Sequence, residues 1–578
     1  MSNITRTHLT VEQLTTSFSI DSQIDNRWFT PFGATTKSKG DLCITIDVMQ
    51  TKMFSNHRGI EVNNKQVDVF PACKIRLTSI DNVLVPVDRD LLHDRDGQSY
   101  WDISLSPGEV WSEAGDGQWS RAVLPFQLSN ILESDSRHGL AMFLFTDSKI
   151  SSIYFQIVAE TKAFVAPEKL LAWGYLSANR ESLDPNVGLE AVRGIRLEIE
   201  EQPGLYDLDS LKSEKTRPYF DEMESGTGSD STLVHGLIIN DEIFSTPCRT
   251  PVGDYPYPRA MKFGIWSATK TAFATVACLR LAQSFGVDPR SAFVGDLLPE
   301  AKGFPAWQGI SIGDCLNMAT GIGTAASDVD PPRIFGDYLL EKRETKGVVN
   351  GAESYRRYYE WYLALSQYEK NFAALSCPSY SWGPGERVRY RDQDLYIAGA
   401  AMDAWLKRQQ GAEARIWNVI RDEVYEPAGV YNAIKFHTVE SDPHREVPLS
   451  DAGLLLTIDN IAALGRLIHN HGKIGYEQVL QPEMLDEVFN PQICKGLPTG
   501  TFTADGEVYY SAGAWHLPYM SNNKEMFWIP VMRGYGGQFI YILPNGATAF
   551  RFGFDSYDTE ERYDMLKLVR LADAIQPF

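Results

Sequence analysis

The feature that most constrains this chain is an apolar run at residues 271–281 that directly follows a polar turn holding Ser267 and Lys270. The run predicts a buried helix, which would fix the geometry of both polar residues. Positions three apart share one face of a helix, so Lys270 can reach the hydroxyl of Ser267. A serine in the first turn also lies near unpaired N–H groups and the positive end of the helix dipole. Such a pair is a nucleophile with its own base only if burial or a neighbouring cation lowers the pKa of the lysine.

The spacing by itself is weak evidence, because the chain contains it twice. Ser521 and Lys524 have the same separation in a polar stretch with no apolar run behind it, and we interpret that copy as chance. For the first copy, the alternative interpretation is a core helix that merely has a polar first turn.

Two further segments favour the chemical interpretation. Residues 384–392, which contain Tyr390, lead into a helical-looking run, and residues 532–538 lead into a strand-like run. In this order and with these surroundings, the chain resembles the serine β-lactamase and penicillin-recognising family. The nearest resemblance is to its class C-like branch of esterases, D-amino-acid peptidases and 6-aminohexanoate-dimer hydrolases. The signatures of that family are S-x-x-K, Y-x-N and K-T-G or H-x-G.

The resemblance extends from about residue 233 to residue 578 and is not limited to the three motifs. Residues 234–239 resemble the family's first core strand, and two internal segments at 310–322 and 449–461 also resemble family patterns. It implies an α/β (α+β) domain, with an antiparallel sheet flanked by helices. An all-helical subdomain would lie between the first two motifs, with the site between it and the sheet.

The resemblance also implies roles for particular residues. Ser267 would be the acylated nucleophile, Lys270 would hold or accept its proton, and Tyr390 would share the general-base work and protonate the leaving group. Backbone N–H groups of Ser267 and Tyr535 would form the oxyanion hole. A surface tyrosine at a strand end is the alternative for Tyr390. The residues that we expect to contact substrate are Trp266, Asp392, Gly534 and Gly536.

The chain departs from the family pattern at two positions. Asp392 stands where asparagine is usual; it could pair with Lys270 and raise the pKa of that lysine, or bind a substrate N–H or ammonium. Met532 stands where a cation usually binds the substrate carboxylate, which argues against β-lactams and peptidyl-D-Ala-D-Ala. Arg533 could replace that cation, although adjacent strand residues point to opposite faces.

These observations predict an enzyme, a serine hydrolase of the carboxylesterase or amidase kind that forms an acyl-enzyme. One alternative is a D-amino peptidase or transpeptidase of the penicillin-recognising type, and another is a non-catalytic binding protein. Ser-His-Asp catalysis also stays open, because such triads are recognised by geometry and not by order. We expect the closely spaced His469 and His471 to cap a helix or face solvent, and we expect neither a metal nor a cofactor.

Composition fits a soluble enzyme, and the resemblance implies a small ester or amide as its substrate. A net charge of −21 disfavours nucleic acid and anionic membranes as partners. Seven scattered cysteines do not indicate a disulfide framework, and no apolar run is long enough to span a bilayer. The N-terminus lacks an apolar signal core, so we expect a cytoplasmic protein, or a periplasmic or secreted one if a signal peptide has been removed. Assembly into a homo-oligomer is left open.

The first third of the chain has a different pattern. Between about residues 42 and 160, short alternating runs separated by polar turns predict an all-β sandwich or jelly roll. Three tryptophans there could line a groove, although core positions are commoner for aromatic residues in sandwiches; they are Trp101, Trp111 and Trp119. We therefore predict a multidomain chain with a β-sandwich-like domain at 1–165, a connecting segment at 166–231 and a hydrolase domain at 232–578. The aromatic stretch at 355–362 either roofs the pocket of that domain or packs as an ordinary amphipathic helix.

Overall fold

The computed structural model describes residues 6–16, 20–40, 42–225, 228, 230–323, 351–490, 492, 496–555 and 564–578. Two large sheets dominate the described part of the chain, one of twelve strands and one of nine. The first sheet belongs mainly to the N-terminal third and the second to the rest of the chain. Antiparallel sheets with accompanying helices are therefore found, as the sequence predicts.

The twelve-stranded sheet is antiparallel throughout and surrounds a hydrophobic core of its own. Its long central strands are buried on both faces, because one face packs on this core and the other packs on the second part of the molecule. In Arg137–Phe145, for example, Phe143 belongs to the sheet's own core and Met142 to the core shared with the second part. The strands are Thr35–Thr36, Cys43–Val48, Phe54–Ser55, Cys73–Ile80, Val83–Pro86, Asp102–Leu105, Gly108–Glu113, Ser120–Ser129, Arg137–Phe145, Ile153–Glu160, Ala172–Leu176 and Ala178–Ser182.

The nine-stranded sheet brings the beginning and the end of the second part together, since Thr232–Ile239 pairs with Thr548–Gly553. Its neighbours are antiparallel except at one edge, where Leu205–Asp207 runs parallel to Glu242–Ser245. The remaining strands are Leu497–Thr503, Gly506–Ser511, Ala514–Met520, Met526–Gly534 and Gln538–Ile542.

The helices pack on the nine-stranded sheet and around a small three-stranded sheet of Phe263–Gly264, Leu454–Leu456 and Ile434–Lys435. Reciprocal capping fixes where several of them begin; at Ile458–His469, for example, the Thr457 side chain accepts from the Asn460 N–H and the Asn460 side chain accepts from the Thr457 N–H. The α-helices in the described ranges are Val11–Thr15, Pro185–Glu201, Arg217–Glu224, Val276–Phe285, Val294–Leu297, Ile312–Leu316, Gly351–Leu363, Gln367–Leu375, Asp392–Gln410, Ile416–Ile420, Glu426–Ala428, Ile458–His469, Pro482–Phe489 and Lys567–Ile575.

Short elements complete the fold. The 3-10 helices are Asn26–Phe29, Leu208–Leu211, Pro258–Ala260, Trp266–Ala268, Pro289–Ser291, Pro299–Gly303, Pro305–Trp307 and Pro443–Arg445, and the π-helical segments are Lys270–Thr275 and Arg421–Tyr425. The two-stranded pairs are Thr51–Lys52 with Val69–Phe70, Glu61–Val62 with Lys65–Gln66, and Lys473–Ile474 with Glu477–Gln478. None of the helices in the described ranges has both the length and the apolar character needed to cross a bilayer.

Strand pairing does not follow the predicted division at residues 165 and 231. Ala172–Leu176 and Ala178–Ser182 belong to the first sheet, and Leu205–Asp207 belongs to the second. Local sequence does not reveal this, because the partners of these strands lie elsewhere in the chain; Ala178–Ser182, for instance, pairs with Cys43–Val48. The segment predicted to be a connection thus contributes strands to both sheets.

Tryptophans of the first sheet occupy packing positions. Trp101 and Trp111 are buried, and their indole N–H groups donate to Val67 O and to the Glu113 carboxylate respectively. Trp119 is half-buried against the larger core. Trp101 and Trp111 therefore serve as core residues, the commoner of the two roles that the sequence allowed.

Candidate active site

Ser267 lies in a tight helical turn at the start of the predicted helix. The turn Trp266–Ala268 is 3-10, the next segment Lys270–Thr275 is π-helical, and only Val276–Phe285 is regular α-helix. Trp266, directly before the serine, has a φ of 49°, a left-handed conformation that costs about 1–3 kcal/mol for a bulky residue. Both features occur preferentially at functional sites.

Lys270 is buried, and its ammonium group contacts three acceptors. Its Nζ lies 2.7 Å from the Oγ of Ser267, 2.7 Å from Oδ1 of Asp392 and 2.8 Å from the backbone oxygen of Asp451. An ammonium has three N–H groups, so this arrangement uses all of them. The lysine is thereby held at one position beside the serine.

Tyr390 reaches the same point from a distant part of the chain. The side chains of Ser267 and Lys270 both act on its phenol and lower the pKa of that group. Its ring lies 5.1 Å from the Lys270 ammonium and stacks on Trp515 at 5.7 Å. Ser267 and Tyr390 are only half-buried, so the structure brings the hydroxyl, the ammonium and the phenol together at a place that a ligand can reach.

The electrostatics of this cluster depend on Asp392. Burial lowers the pKa of Lys270, but Asp392, with smaller contributions from Tyr390 and Asp451, outweighs burial and raises that pKa above its usual value. Burial also raises the pKa of Tyr390, and Asp392 adds to that increase, against the opposing effect of Lys270. Of the two directions that the sequence left open for the lysine, the structure therefore selects the raised one. Lys270 remains an ammonium and Tyr390 a neutral phenol near neutral pH.

Both carboxylate oxygens of Asp392 have protein donors. Oδ1 accepts from Lys270, and Oδ2 accepts from the hydroxyl of Tyr358 at 2.9 Å. Tyr358 comes from the helix Gly351–Leu363, the aromatic stretch for which the sequence offered a roof or an ordinary packing role. Asp392 is the first residue of Asp392–Gln410, where the helix dipole stabilises negative charge.

The third motif lies directly against the turn that holds Ser267. A Cβ added at Gly534 would collide with the backbone oxygen of Ile265, so only glycine allows this approach. Gly536 has a φ of 76° and packs against the side chain of Lys162. Met532 is buried, whereas the Arg533 guanidinium lies 5.8 Å from the ring of Trp515, the ring on which Tyr390 stacks.

Trp266 is buried, and its indole N–H donates to the backbone oxygen of Lys162 at 2.8 Å. Its ring lies 5.5 Å from the ring of Tyr535, beside the predicted oxyanion hole. Trp266 is thus placed next to the site as a packing residue.

Sequence reasoning missed three contributors to the site. Asp451 lies in the segment 449–461, which we used only for its resemblance to the family. Tyr358 lies in the aromatic stretch but was not identified as a partner of Asp392. Phe164, which packs on Trp266 and Tyr535, comes from the N-terminal part of the chain, where no sequence signal pointed to the site.

His469 and His471 both make local contacts. The ring of His469 contacts the backbone oxygen of Ala547, and the ring of His471 contacts the carboxylate of Asp486. Across the described ranges, no cluster of three or more His, Cys, Asp and Glu side chains is suited to hold a metal ion.

Comparison with known proteins finds solved structures that are similar to this chain. No family model matches the chain, and neither does any curated protein. A Bacillus anthracis protein provisionally named a 6-aminohexanoate-dimer hydrolase is 13% identical over 64% of this chain and 85% of its own, with a TM-score of 0.43. A family VIII carboxylesterase is 16% identical over 62% of this chain and 96% of its own, with a TM-score of 0.39. A D-stereospecific amidohydrolase from a Streptomyces species is 13% identical over 63% of this chain and 97% of its own, with a TM-score of 0.38. The first two carry the names of enzyme kinds in the branch that the motifs resemble.

Proposed function

We propose that this protein is a serine hydrolase that cleaves an ester or an amide through an acyl-enzyme on Ser267. One observation carries the proposal: the Lys270 ammonium lies 2.7 Å from the Oγ of Ser267 and 5.1 Å from the ring of Tyr390, and both Ser267 and Tyr390 are half-buried. A nucleophile, a cation and a proton acceptor gathered at one place are the parts that acyl transfer needs. The solved structures to which the chain is similar include an esterase and an amidohydrolase.

In the proposed reaction, the Oγ of Ser267 attacks the carbonyl carbon of the substrate while its proton passes to the phenolate form of Tyr390. Lys270 stays protonated and donates to the serine oxygen throughout, which stabilises the developing alkoxide. The N–H groups of Ser267 and Tyr535 bind the oxyanion. Tyr390 then returns the proton to the leaving group. In the second half of the reaction, Tyr390 takes a proton from a water molecule, whose oxygen attacks the acyl carbon, and passes that proton to the Oγ of Ser267 as the acid leaves.

This scheme makes a prediction for pH. Because the pKa of Tyr390 is raised, only a small phenolate fraction exists at neutral pH, and kcat/KM should increase as the pH rises. Asp392→Asn removes a negative charge that raises the pKa of Tyr390, so the phenolate forms at lower pH. The acid limb of the kcat/KM profile is expected to move downward by about one to two pH units.

The matched control is Asp403→Asn, on the same helix and also paired with a lysine, Lys407. It should leave the acid limb where it is, because Asp403 does not contact Ser267, Lys270 or Tyr390. An acid limb that stays in place or moves upward in Asp392→Asn would contradict the role given to Tyr390.

The direct test of the proposal is the covalent intermediate. We expect incubation with p-nitrophenyl esters to release a burst of about one p-nitrophenol per protein. Acid quenching should then give an intact mass increased by one acyl group, and peptide mapping should place that group on Ser267.

A fluorescent penicillin that labels Ser267 would indicate the penicillin-recognising alternative instead. If esters, linear amides and D-amino-acid amides all fail to acylate the protein, the alternative of a non-catalytic binding protein is supported instead.

A further inference from the structure

A loop of the N-terminal part of the chain reaches the candidate active site. The loop spans residues 161–170, directly after the strand Ile153–Glu160. The buried carboxylate of Glu133 accepts the N–H groups of Phe164 at 2.8 Å and Val165 at 2.7 Å, and also that of Ala166. A carboxylate that accepts several adjacent N–H groups holds a loop in one conformation. The conformation of the loop is therefore held by Glu133, a residue of the same N-terminal part of the chain.

This loop contacts both backbone segments of the proposed oxyanion hole. The backbone oxygen of Lys162 accepts the indole N–H of Trp266, the residue directly before the nucleophile. The side chain of Lys162 occupies the space into which a Cβ on Gly536, directly after Tyr535, would point. A second contact lies close by, where Gly264 packs its backbone on the backbone of Ser134 and donates its N–H to the hydroxyl of Ser136 at 3.1 Å. The N-terminal part of the chain is thus in backbone contact with the segment that leads to Ser267.

The ring of Phe164 lies at the centre of an aromatic cluster. Its ring centroid is 6.1 Å from Trp266 and 5.8 Å from Tyr535, both edge to face, and 5.8 Å from Tyr359 in a stacked arrangement. Tyr362 lies 5.0 Å away and donates its hydroxyl to the backbone oxygen of Leu132. Phe164, Tyr359, Tyr362 and Tyr535 are all half-buried residues.

We infer that Phe164 is a specificity residue of this enzyme, a wall of the acyl pocket contributed by the N-terminal part of the chain. The wall selects an aromatic or other flat apolar group on the acyl side of the scissile bond. The leaving group belongs beside Tyr390, which protonates it and which stacks on Trp515. The rings around Phe164 instead flank the oxyanion hole, next to the carbonyl that the acyl group carries. Flat aromatic groups gain most from such edge-to-face and stacked contacts.

The inference rests on the proposed function, and its test uses two p-nitrophenyl esters that differ only in the acyl group, phenylacetyl and acetyl. We expect the wild-type protein to prefer the phenylacetyl ester. In Phe164→Ala, the ratio of kcat/KM for phenylacetyl over acetyl should fall by about tenfold, the effect of losing one aromatic contact at the transition state. Phe164→Leu keeps apolar volume without the ring and should give an intermediate ratio, which protects the test against a loop that fails to fold in the alanine variant.

Phe54→Ala is the matched control, because Phe54 is an exposed aromatic residue of the same sheet that stacks on Trp173. Its ratio should equal that of the wild type. A wild-type ratio in both Phe164 variants would overturn the inference.

Failure of the proposed function is recognised separately. If Ser267→Ala hydrolysed both esters as fast as the wild type, the acyl-enzyme proposal would fail, whatever Phe164 does. The affinities of N-methylphenylacetamide and N-methylacetamide for the Ser267→Ala protein, measured by calorimetry, report on the contact with Phe164 without any acylation. If the added substitution Phe164→Ala weakens the binding of N-methylphenylacetamide by about tenfold, the inference is supported; unchanged binding overturns it.

Discussion

Replacing Ser267 by alanine is expected to lower kcat for any ester or amide substrate by about 10⁴–10⁶-fold and to abolish the burst and the covalent adduct. The hydroxyl is the only group that the proposed reaction acylates, so nothing else in the cluster can take its place. Lys270 and Tyr390 would remain with the oxyanion hole, which by itself gives only the residual catalysis seen when a nucleophile is removed. Steady-state kinetics at saturating substrate, with intact mass spectrometry, measures this loss.

The chain provides a control in its second serine–lysine pair at the same spacing. Ser521 lies between the strands Ala514–Met520 and Met526–Gly534, where its hydroxyl accepts the backbone N–H of Glu525 at 3.2 Å. Ser521→Ala should lose that local bond and keep full activity. Hydrolysis by Ser267→Ala at the wild-type rate, or loss of activity in Ser521→Ala alone, would place the chemistry elsewhere.

Replacing Lys270 by methionine is expected to lower kcat/KM by about 10³-fold or more, since the serine oxygen loses the cation that stabilises its negative charge. The same change should destabilise the fold. It leaves the mostly buried carboxylate of Asp392 without its ammonium partner, and breaking such a pair costs about 3–5 kcal/mol. Urea denaturation and kinetics on the same preparation separate the two effects.

Two variants distinguish the chemical from the structural role of Lys270. The double variant Lys270→Met/Asp392→Asn removes both charges and should recover most of the lost free energy of unfolding but none of the activity. Lys435→Met removes another buried lysine, whose ammonium donates to the backbone oxygens of Leu449, Phe436 and Ala452. It should cost stability while activity stays within about tenfold of the wild type. Recovery of activity in the double variant would show that the lysine acts only through folding.

The contact between Ser267 and Lys270 was predictable because it is local. Three residues of helical backbone bring the two side chains to one face, and the apolar run that follows them predicts the helix. The 3-10 and π-helical form of its first turns was not predictable from helix propensity. Tyr390 was identified through the resemblance of its motif to the family, and spacing alone could not have brought it to the serine.

The charge state of the cluster could not be predicted from the sequence. The chain placed a carboxylate at Asp392, but its effect on the pKa of Lys270 depends on distance and burial, because Coulomb energy in a protein interior changes steeply with both. The 2.7 Å contact with Asp392 is close enough to outweigh the burial of the lysine, so the pKa of Lys270 is raised.

The sequence by itself determined the elements that carry the motifs and the local pairing of Ser267 with Lys270. Both depend on residues within a few positions of one another and on apolar periodicity, and both of these can be obtained directly from the sequence. The tertiary structure alone decided that Tyr358 binds Asp392, and that a loop of the N-terminal sheet places Phe164 against Trp266 and Tyr535. These contacts join segments far apart in the chain. They follow from how distant elements pack together, a relation that no local pattern encodes.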